Sequence, residues 1–118
     1  MAQQAARLKV KKSNGLSIVE FSDRKILDEL CILEIQEELE RLVAAKTGGH
    51  FLLSFKRVEH LSSAALAMLI TLKKQVEKNN GQLKLSDINP QIFEVFKITR
   101  LNKLFDIHSS TDEAMASF

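Results

Sequence analysis

The sequence contains neither tryptophan nor tyrosine, and it has only one cysteine and one proline in 118 residues. Without Trp and Tyr, we expect no aromatic platform on which the bases of a single-stranded nucleic acid could stack. A single cysteine, Cys31, excludes an internal disulfide. Because Cys31 lies among apolar residues in a helical pattern, the sequence predicts a buried structural thiol there.

The chain also lacks a strong charge of either sign and a long apolar run. Its 17 basic and 15 acidic side chains leave a net charge of +2, which is too small to indicate nucleic-acid binding from charge alone. No stretch approaches the roughly 20 apolar residues that span a bilayer, and the N-terminal residues lack an apolar signal core. We therefore expect a cytoplasmic protein with no membrane span, formed by a single domain over residues 1–118.

The motifs of common enzyme and metal sites are missing as well. The histidines, His50, His60 and His108, are far apart and lie near no cysteine or carboxylate pair at ligand spacing, so we expect no metal site. There is no Gly-rich phosphate loop and no G-x-S-x-G motif around a serine. The sequence thus predicts neither catalytic residues nor a cofactor. A small nucleotide-binding protein is a weaker alternative.

What the sequence does contain is an alternation of short apolar runs and amphipathic segments. Two strands, Arg7–Lys11 and 16–21, flank the turn signal Ser13-Asn14-Gly15 and predict a hairpin, after a loose lead-in of about six residues. Further strands are predicted at 51–55, 82–86 and 104–107, and helices follow the second, third, fourth and last strands. The order β-β-α-β-α-β-α-β-α predicts an α/β fold with a four- to five-stranded mixed sheet and about four helices.

Several residues predict where these helices begin and end. Asp28 and Asn89 are suited to N-caps, Pro90 fits a first helical position, and Ser110 with Glu113 matches a capping box. Gly81 is suited to a left-handed C-terminal cap. In the first helix the predicted buried stripe consists of Leu30, Ile32, Leu33, Ile35, Leu39, Leu42 and Val43, and in the third it consists of Ile92, Val95 and Phe96.

The most informative segment is the serine pair Ser62-Ser63, which stands between a short apolar strand and a helix that runs to about Asn79. A serine hydroxyl can accept from the free backbone N–H groups of a first helical turn, so one of the pair is expected to cap the helix. The other hydroxyl remains exposed at the positive end of the helix dipole, a place that accommodates phosphate. Ser62 is the predicted cap.

The segment Ser62-Ser63-Ala64-Ala65-Leu66 resembles the D-S-S-G-L turn of the STAS domain of bacterial anti-sigma-factor antagonists. The C-terminal third is similar to the family pattern as well, through Gly81, Leu83, Leu85, Pro90, Phe96, Leu101, Leu104 and Phe105. The resemblance covers nearly the whole chain. It implies the STAS fold and a non-enzymatic protein that regulates transcription by partner switching.

The resemblance further implies the partners and the site. Such an antagonist binds an anti-sigma factor that is also a serine kinase, is phosphorylated by it, and is reset by a PP2C-type phosphatase. Carried over by position, the phosphoacceptor is Ser63. We expect the partner-binding surface to include Arg57, Glu59, His60, Ser62, Ser63 and Ala64, and a homodimer is possible.

The chain departs from the family pattern at three positions. Ser62 replaces the acidic residue before the acceptor, Ser54 replaces the Asp at the end of the preceding strand, and Ala65 replaces a glycine. Two interpretations therefore remain open: Ser62 and Ser63 only cap the helix, or Ser63 is phosphorylated. Correspondingly, the alternative function is a constitutive STAS scaffold or transport-complex subunit that binds partners without phosphorylation.

Overall fold

The computed structural model of the protein describes residues 7–13 and 15–118. The predicted lead-in of six residues and Asn14 of the predicted turn lie outside the described residues. The strands are β1 (Leu8–Ser13), β2 (Leu16–Phe21), β3 (Lys25–Ile26), β4 (His50–Ser54), β5 (His60–Leu61), β6 (Gln82–Ser86) and β7 (Asp106–His108). The helices are α1 (Glu29–Ala45), α2 (Ser63–Lys78), α3 (Pro90–Ile98), α4 (Leu101–Leu104) and α5 (Thr111–Ala116).

The main sheet is mixed and has five strands in the order β1-β2-β4-β6-β7. The hairpin pair β1 and β2 is antiparallel, as predicted, and the other pairs are parallel. This confirms the predicted α/β fold with a mixed sheet. Because the connections between parallel strands carry helices, the starts of α1, α2 and α3 lie near the carboxyl edge of the sheet.

The two faces of the sheet are covered very differently. On one face, residues such as Val19, Leu53 and Leu85 join the buried sides of α1, α2 and α3 in the main hydrophobic core. On the other face, α5 is the one described helix that packs against the sheet, and its Ala114 forms a small cluster with Leu16 and Leu52. The second face therefore keeps polar side chains at both edges of α5.

The three N-caps predicted at Asp28, Asn89 and Ser110 are confirmed by hydrogen bonds from their side chains. Asp28 accepts from the Cys31 amide at 2.9 Å, Asn89 from the Ile92 amide at 2.8 Å, and Ser110 from the Glu113 amide at 3.1 Å. Each of these side-chain oxygens satisfies one of the N–H groups that the first helical turn leaves free. Local sequence was sufficient to place the starts of these three helices.

The predicted cap at Gly81 is wrong, because Asn80 takes the left-handed conformation with φ +61°. The Asn80 amide donates to the Glu77 carbonyl at 3.0 Å and the Gly81 amide to the Val76 carbonyl at 2.8 Å, which is a Schellman ending. Gly81 is needed for a different reason: a Cβ there would lie 2.4 Å from the Gly49 carbonyl oxygen. Two loops therefore approach each other too closely for a side chain.

Three further predictions are corrected by the structure. Leu30 and Leu33 are 61% and 52% exposed, because the buried face of α1 is formed by Cys31, Ile32, Ile35, Leu39 and Val43, on the other side of the helix. Val95 is exposed on α3. Leu104 ends helix α4 and does not begin the last strand, since Arg100 adopts a left-handed conformation that starts a new helical turn.

Cys31 is buried, as predicted, and it lies beside a polar cluster at the start of α1. The Arg7 guanidinium donates to Asp23 and Glu34 at 3.0 Å each, and the Cys31 thiol lies 3.6 Å from Asp23 Oδ2. Burial, together with the Asp23 carboxylate, raises the pKa of the Cys31 thiol to about 11. The thiol is therefore protonated at neutral pH.

Among the described residues, no helix is both long and apolar enough to cross a bilayer.

Candidate partner-binding site at the start of helix α2

The segment between β4 and α2 brings the predicted site residues to the carboxyl edge of the sheet. After β4, a tight turn places the Val58 amide 3.0 Å from the Phe55 carbonyl, and both side chains are buried in the main core. The charged residues around them, Lys56, Arg57 and Glu59, are exposed. The buried pair therefore anchors a short loop whose polar side chains point to solvent.

A second, two-stranded sheet holds the end of this loop. Strand β5 pairs in parallel with β3, with His60 opposite Lys25 and Leu61 opposite Ile26. The Glu59 amide donates to the Arg24 carbonyl at 2.7 Å, and the Ser62 amide donates to the Ile26 carbonyl at 3.1 Å. The side chain of His60 is exposed, while its backbone belongs to this small sheet.

The two serines differ in their hydrogen bonding, and the predicted cap at Ser62 is confirmed. Ser62 is the N-cap of α2: its Oγ accepts from the Ala65 amide at 3.1 Å and its carbonyl accepts from the Leu66 amide at 3.1 Å. Ser63 is the first residue of the helix and is exposed. Its hydroxyl has no hydrogen-bond partner in the described part of the chain. The cap is thus assigned to Ser62, and the Ser63 hydroxyl is available to solvent.

The first turn of α2 offers donors and no acidic side chain. The amides of Ala65 and Leu66 both donate to Ser62. The other two amides of the first turn, those of Ser63 and Ala64, have no acceptor within residues 7–13 and 15–118. Those N–H groups and the positive end of a 16-residue helix favour an anion next to Ser63. A phosphate on this hydroxyl would meet no adjacent carboxylate in the turn.

The three residues that depart from the family pattern lie at different distances from the exposed start of α2. Ala65 is completely buried in the main core, so its methyl group packs inside and does not alter the exposed surface. Ser54 ends β4 on the face that α5 covers, where it is paired in register with Glu20 and Ser86. Of the three departures, Ser62 is therefore the one at the exposed start of α2.

One residue that supports the site was predicted only as a helix cap. The Asn89 side-chain NH₂ donates to the Val58 carbonyl at 3.2 Å and lies 3.4 Å from the Glu59 carbonyl. Asn89 therefore ties the start of α3 to the loop before Ser63. The sequence signal for the cap, Asn before Pro90, says nothing about this contact, because the two segments lie about 30 residues apart in the chain.

Comparison with known proteins agrees with this architecture. The STAS domain family model matches residues 7–114. A relative from Bordetella bronchiseptica, named "Putative anti-sigma factor antagonist BtrV", is 32% identical over 85 residues, which cover 70% of this chain and 73% of that protein.

Solved structures share the fold at low sequence identity. An anti-sigma-factor antagonist (STAS) domain protein from Planctomyces limnophilus superposes with a TM-score of 0.86 at 17% identity, covering 95% of this chain and 97% of that chain. The phosphorylated form of the Bacillus cell fate determinant SpoIIAA superposes with a TM-score of 0.69 at 13% identity, covering 93% and 97%.

Proposed function

The chain belongs to the STAS domain family, and from this premise we propose that it is an anti-sigma-factor antagonist that regulates transcription by partner switching in the cytoplasm. Its partner in this proposal is an anti-sigma factor that is also a serine kinase, and the switch is phosphorylation of Ser63 with reversal by a PP2C-type phosphatase. The observation that carries the proposal is the exposed Ser63 hydroxyl at the start of α2, which has no hydrogen-bond partner in the described residues and lies beside a separate cap at Ser62.

The cap of α2 and the proposed phosphoacceptor are different serines, which supports a switch that acts without a large rearrangement of the domain. Since Ser62 caps α2, a change at Ser63 leaves the cap hydrogen bond in place. A phosphate adds about −1.5 to −2 charges, and the amides of Ser63 and Ala64 together with the helix dipole can accommodate them. The domain should therefore stay folded, while a partner docked on this surface meets a new charge and loses affinity.

The proposed docking surface is the exposed part of the segment around Ser63. It consists of Arg57, Glu59, His60, Ser62, Ser63 and Ala64. The main core behind Val58 and the β3–β5 pair hold this segment in a fixed conformation. A surface that is already ordered binds with a smaller entropic cost than a flexible one. Relatives with this domain that are named anti-sigma factor antagonists support the type of partner.

The test compares three forms of the chain with its cognate kinase partner and ATP. We expect mass spectrometry to find phosphate on Ser63 of the unchanged chain and of Ser62→Ala, and none on Ser63→Ala. In calorimetric titrations with the partner, Ser63→Asp should bind at least about tenfold more weakly, because its carboxylate must be desolvated at the interface. Phosphate on another residue, or equal affinity of Ser63→Asp, contradicts the proposal.

The folded state of Ser63→Asp is checked separately. Its carboxylate lies at a helix N-terminus, so the melting temperature should be unchanged or slightly raised. A weakened complex with an intact fold is then an effect on the interface.

The second candidate is a constitutive STAS scaffold, such as a subunit of a transport complex. The serine at the N-cap of α2 favours it, because the family pattern has an acidic residue at the position of Ser62. Under this hypothesis Ser63→Ala and Ser63→Asp both form the complex with unchanged affinity, and the partner does not transfer phosphate.

A further inference from the structure

The second face of the sheet carries a cleft that the partner-switching proposal does not use. It has a volume of about 340 Å³ and lies between the β1–β2–β4 part of the sheet and helix α5. The residues that line it are Lys9, Lys11, Ile18, Glu20, Ser54, Lys56, Thr111 and Met115. The cleft reaches the carboxyl ends of β2 and β4, the place where open α/β sheets commonly bind ligands.

The charges of the cleft are unbalanced. Among the described side chains that line the cleft, three lysines face one carboxylate, Glu20, which leaves an excess of two positive charges. The Arg57 guanidinium lies 4.0 Å from Glu20 Oε1 and further offsets that carboxylate. Strand pairing fixes the spacing of this set, because Lys9 is opposite Glu20 and Lys11 is opposite Ile18 in the β1–β2 register. An anion with two charges matches the excess.

A nearly buried hydroxyl lies at the base of the cleft and opens onto it. Ser54 is only 3% exposed, and its hydroxyl has no hydrogen-bond partner among residues 7–13 and 15–118. The neighbouring buried serine differs: Ser86 donates to Asp87 Oδ2 at 2.8 Å, and Thr111 donates to the same oxygen at 2.8 Å. Every fully enclosed side-chain polar atom of the described residues has a hydrogen-bond partner, so the Ser54 hydroxyl is open to the cleft. There it can bond to water or to a ligand.

One wall of the cleft is apolar. The side chains of Ile18 and Met115 are half-buried and belong to the small cluster under α5. A ligand that consisted only of an inorganic ion would leave this wall in contact with water. A ligand with an apolar part next to its anionic group would cover it and gain the corresponding hydrophobic free energy.

From the cleft, its charge excess and the Ser54 hydroxyl that opens onto it, we infer that the domain binds a small organic phosphate monoester on this face. The phosphate dianion lies between Lys11 and Lys56 and accepts from Ser54, and the organic part contacts Ile18 and Met115. This binding requires neither a kinase nor a partner protein, so its success or failure is independent of phosphorylation at Ser63.

The experiment is an NMR titration of the ¹⁵N-labelled chain with phenyl phosphate, inorganic phosphate, benzoate and benzyl alcohol. We expect saturable shifts of the amides of Lys11, Ser54 and Lys56 with phenyl phosphate. The affinity for phenyl phosphate should exceed that for the other three probes by about tenfold, since only this probe carries both the dianion and the apolar part. Equal affinity for inorganic phosphate or benzoate would overturn the inference.

Substitutions of single lysines test where phenyl phosphate binds. Lys11→Gln and Lys56→Gln should each weaken phenyl phosphate binding about tenfold, a loss expected for one charge-assisted hydrogen bond. The matched control is Lys12→Gln, because Lys12 is exposed on the same strand, carries the same charge and does not line the cleft. Equal weakening by Lys12→Gln would show that only overall charge matters and would contradict the site.

Ser54→Asp tests the base of the cleft directly. The added carboxylate removes half of the positive excess and repels the phosphate dianion at the position where Ser54 would donate to it, so binding should fall below detection. Ser54→Ala should weaken it only several-fold. If Ser54→Asp binds phenyl phosphate as tightly as the unchanged chain, the assignment is wrong. Should Ser54→Asp fail to fold, the surface variants Lys11→Gln and Lys56→Gln decide the question alone.

Discussion

The side chain of Asn89 contacts the carbonyl of Val58, and this contact joins helix α3 to the loop that leads to Ser63. The Asn89 Nδ2 donates to that carbonyl at 3.2 Å, while its Oδ1 accepts from the Ile92 amide at 2.8 Å. One amide group therefore caps a helix and positions the candidate site. The two functions depend on different atoms, so substitution can separate them.

We expect Asn89→Asp to keep the cap and loosen the loop. The carboxylate still accepts from the first turn of α3, but it cannot donate to Val58. Hydrogen exchange of the Glu59 and His60 amides should become faster, because the loop is then held mainly by their bonds to Arg24.

Asn89→Ala is the companion variant, and it should show the same faster exchange together with a further loss of about 1 kcal/mol in unfolding free energy from the missing cap. If exchange at Glu59 and His60 is unchanged in both variants, the Asn89–Val58 contact does not position the loop.

The roles of Ser62 and Ser63 can be distinguished by stability alone. Ser62→Ala removes the acceptor of the Ala65 amide and should lower the free energy of unfolding by about 1 kcal/mol. Ser63→Ala removes an exposed hydroxyl with no partner in the described chain, and it should raise stability by a few tenths of a kcal/mol through helix propensity. Urea denaturation of the two variants provides the measurement, and equal losses would mean that both hydroxyls act as caps.

Most of the fold was predictable because its signals are local. The caps at Asp28, Asn89 and Ser110 and the apolar runs of the strands depend on residues within one turn or one strand. The two-residue strands β3 and β5 were missed because two residues carry no periodicity. The stripe of α1 was wrong at Leu30 and Leu33, because hydrophobicity by itself does not determine which side of a helix is buried.

The site was predictable only in part. The Ser62–Ser63 division follows from capping chemistry and was confirmed for the cap. Phosphorylation of Ser63 stays a prediction. The Asn89–Val58 contact and the position of the Ser54 hydroxyl at the base of the cleft depend on segments that are distant in sequence, which no local pattern encodes.

The close approach of Gly81 to Gly49 gives a third prediction. In Gly81→Ala the new Cβ would lie 2.4 Å from a backbone oxygen, so the loops must separate, and we expect a loss of about 1–3 kcal/mol in unfolding free energy. Gly15→Ala is the control: φ is +82°, and the nearest atom is the flexible Lys46 Nζ at 3.7 Å. It should cost about 1 kcal/mol from backbone strain alone. A smaller loss for Gly81→Ala than for Gly15→Ala would contradict the steric explanation.

The raised pKa of Cys31 predicts how the free energy of unfolding changes with pH in the alkaline range. Burial, with the Asp23 carboxylate, raises this pKa from its ordinary 9.0 to about 11 in the folded chain. Between those two values the folded chain retains a proton that the unfolded chain has lost. Stability must therefore fall as pH rises through this interval, with a limiting slope of about 1.4 kcal/mol per pH unit from this one group.

Urea denaturation at several values between pH 8 and 11 measures this slope, and Cys31→Ala is the matched control. The variant loses some packing at every pH, but the lysines and other titrating groups remain the same in both chains. We expect the stability difference between the two chains to shrink steadily above pH 9, because only the unchanged chain must keep a thiol protonated. Parallel curves for the two chains would show that the Cys31 pKa is the same in the folded and unfolded states. The same burial should keep the native thiol unreactive towards iodoacetamide at neutral pH, since thiolate is the reactive form.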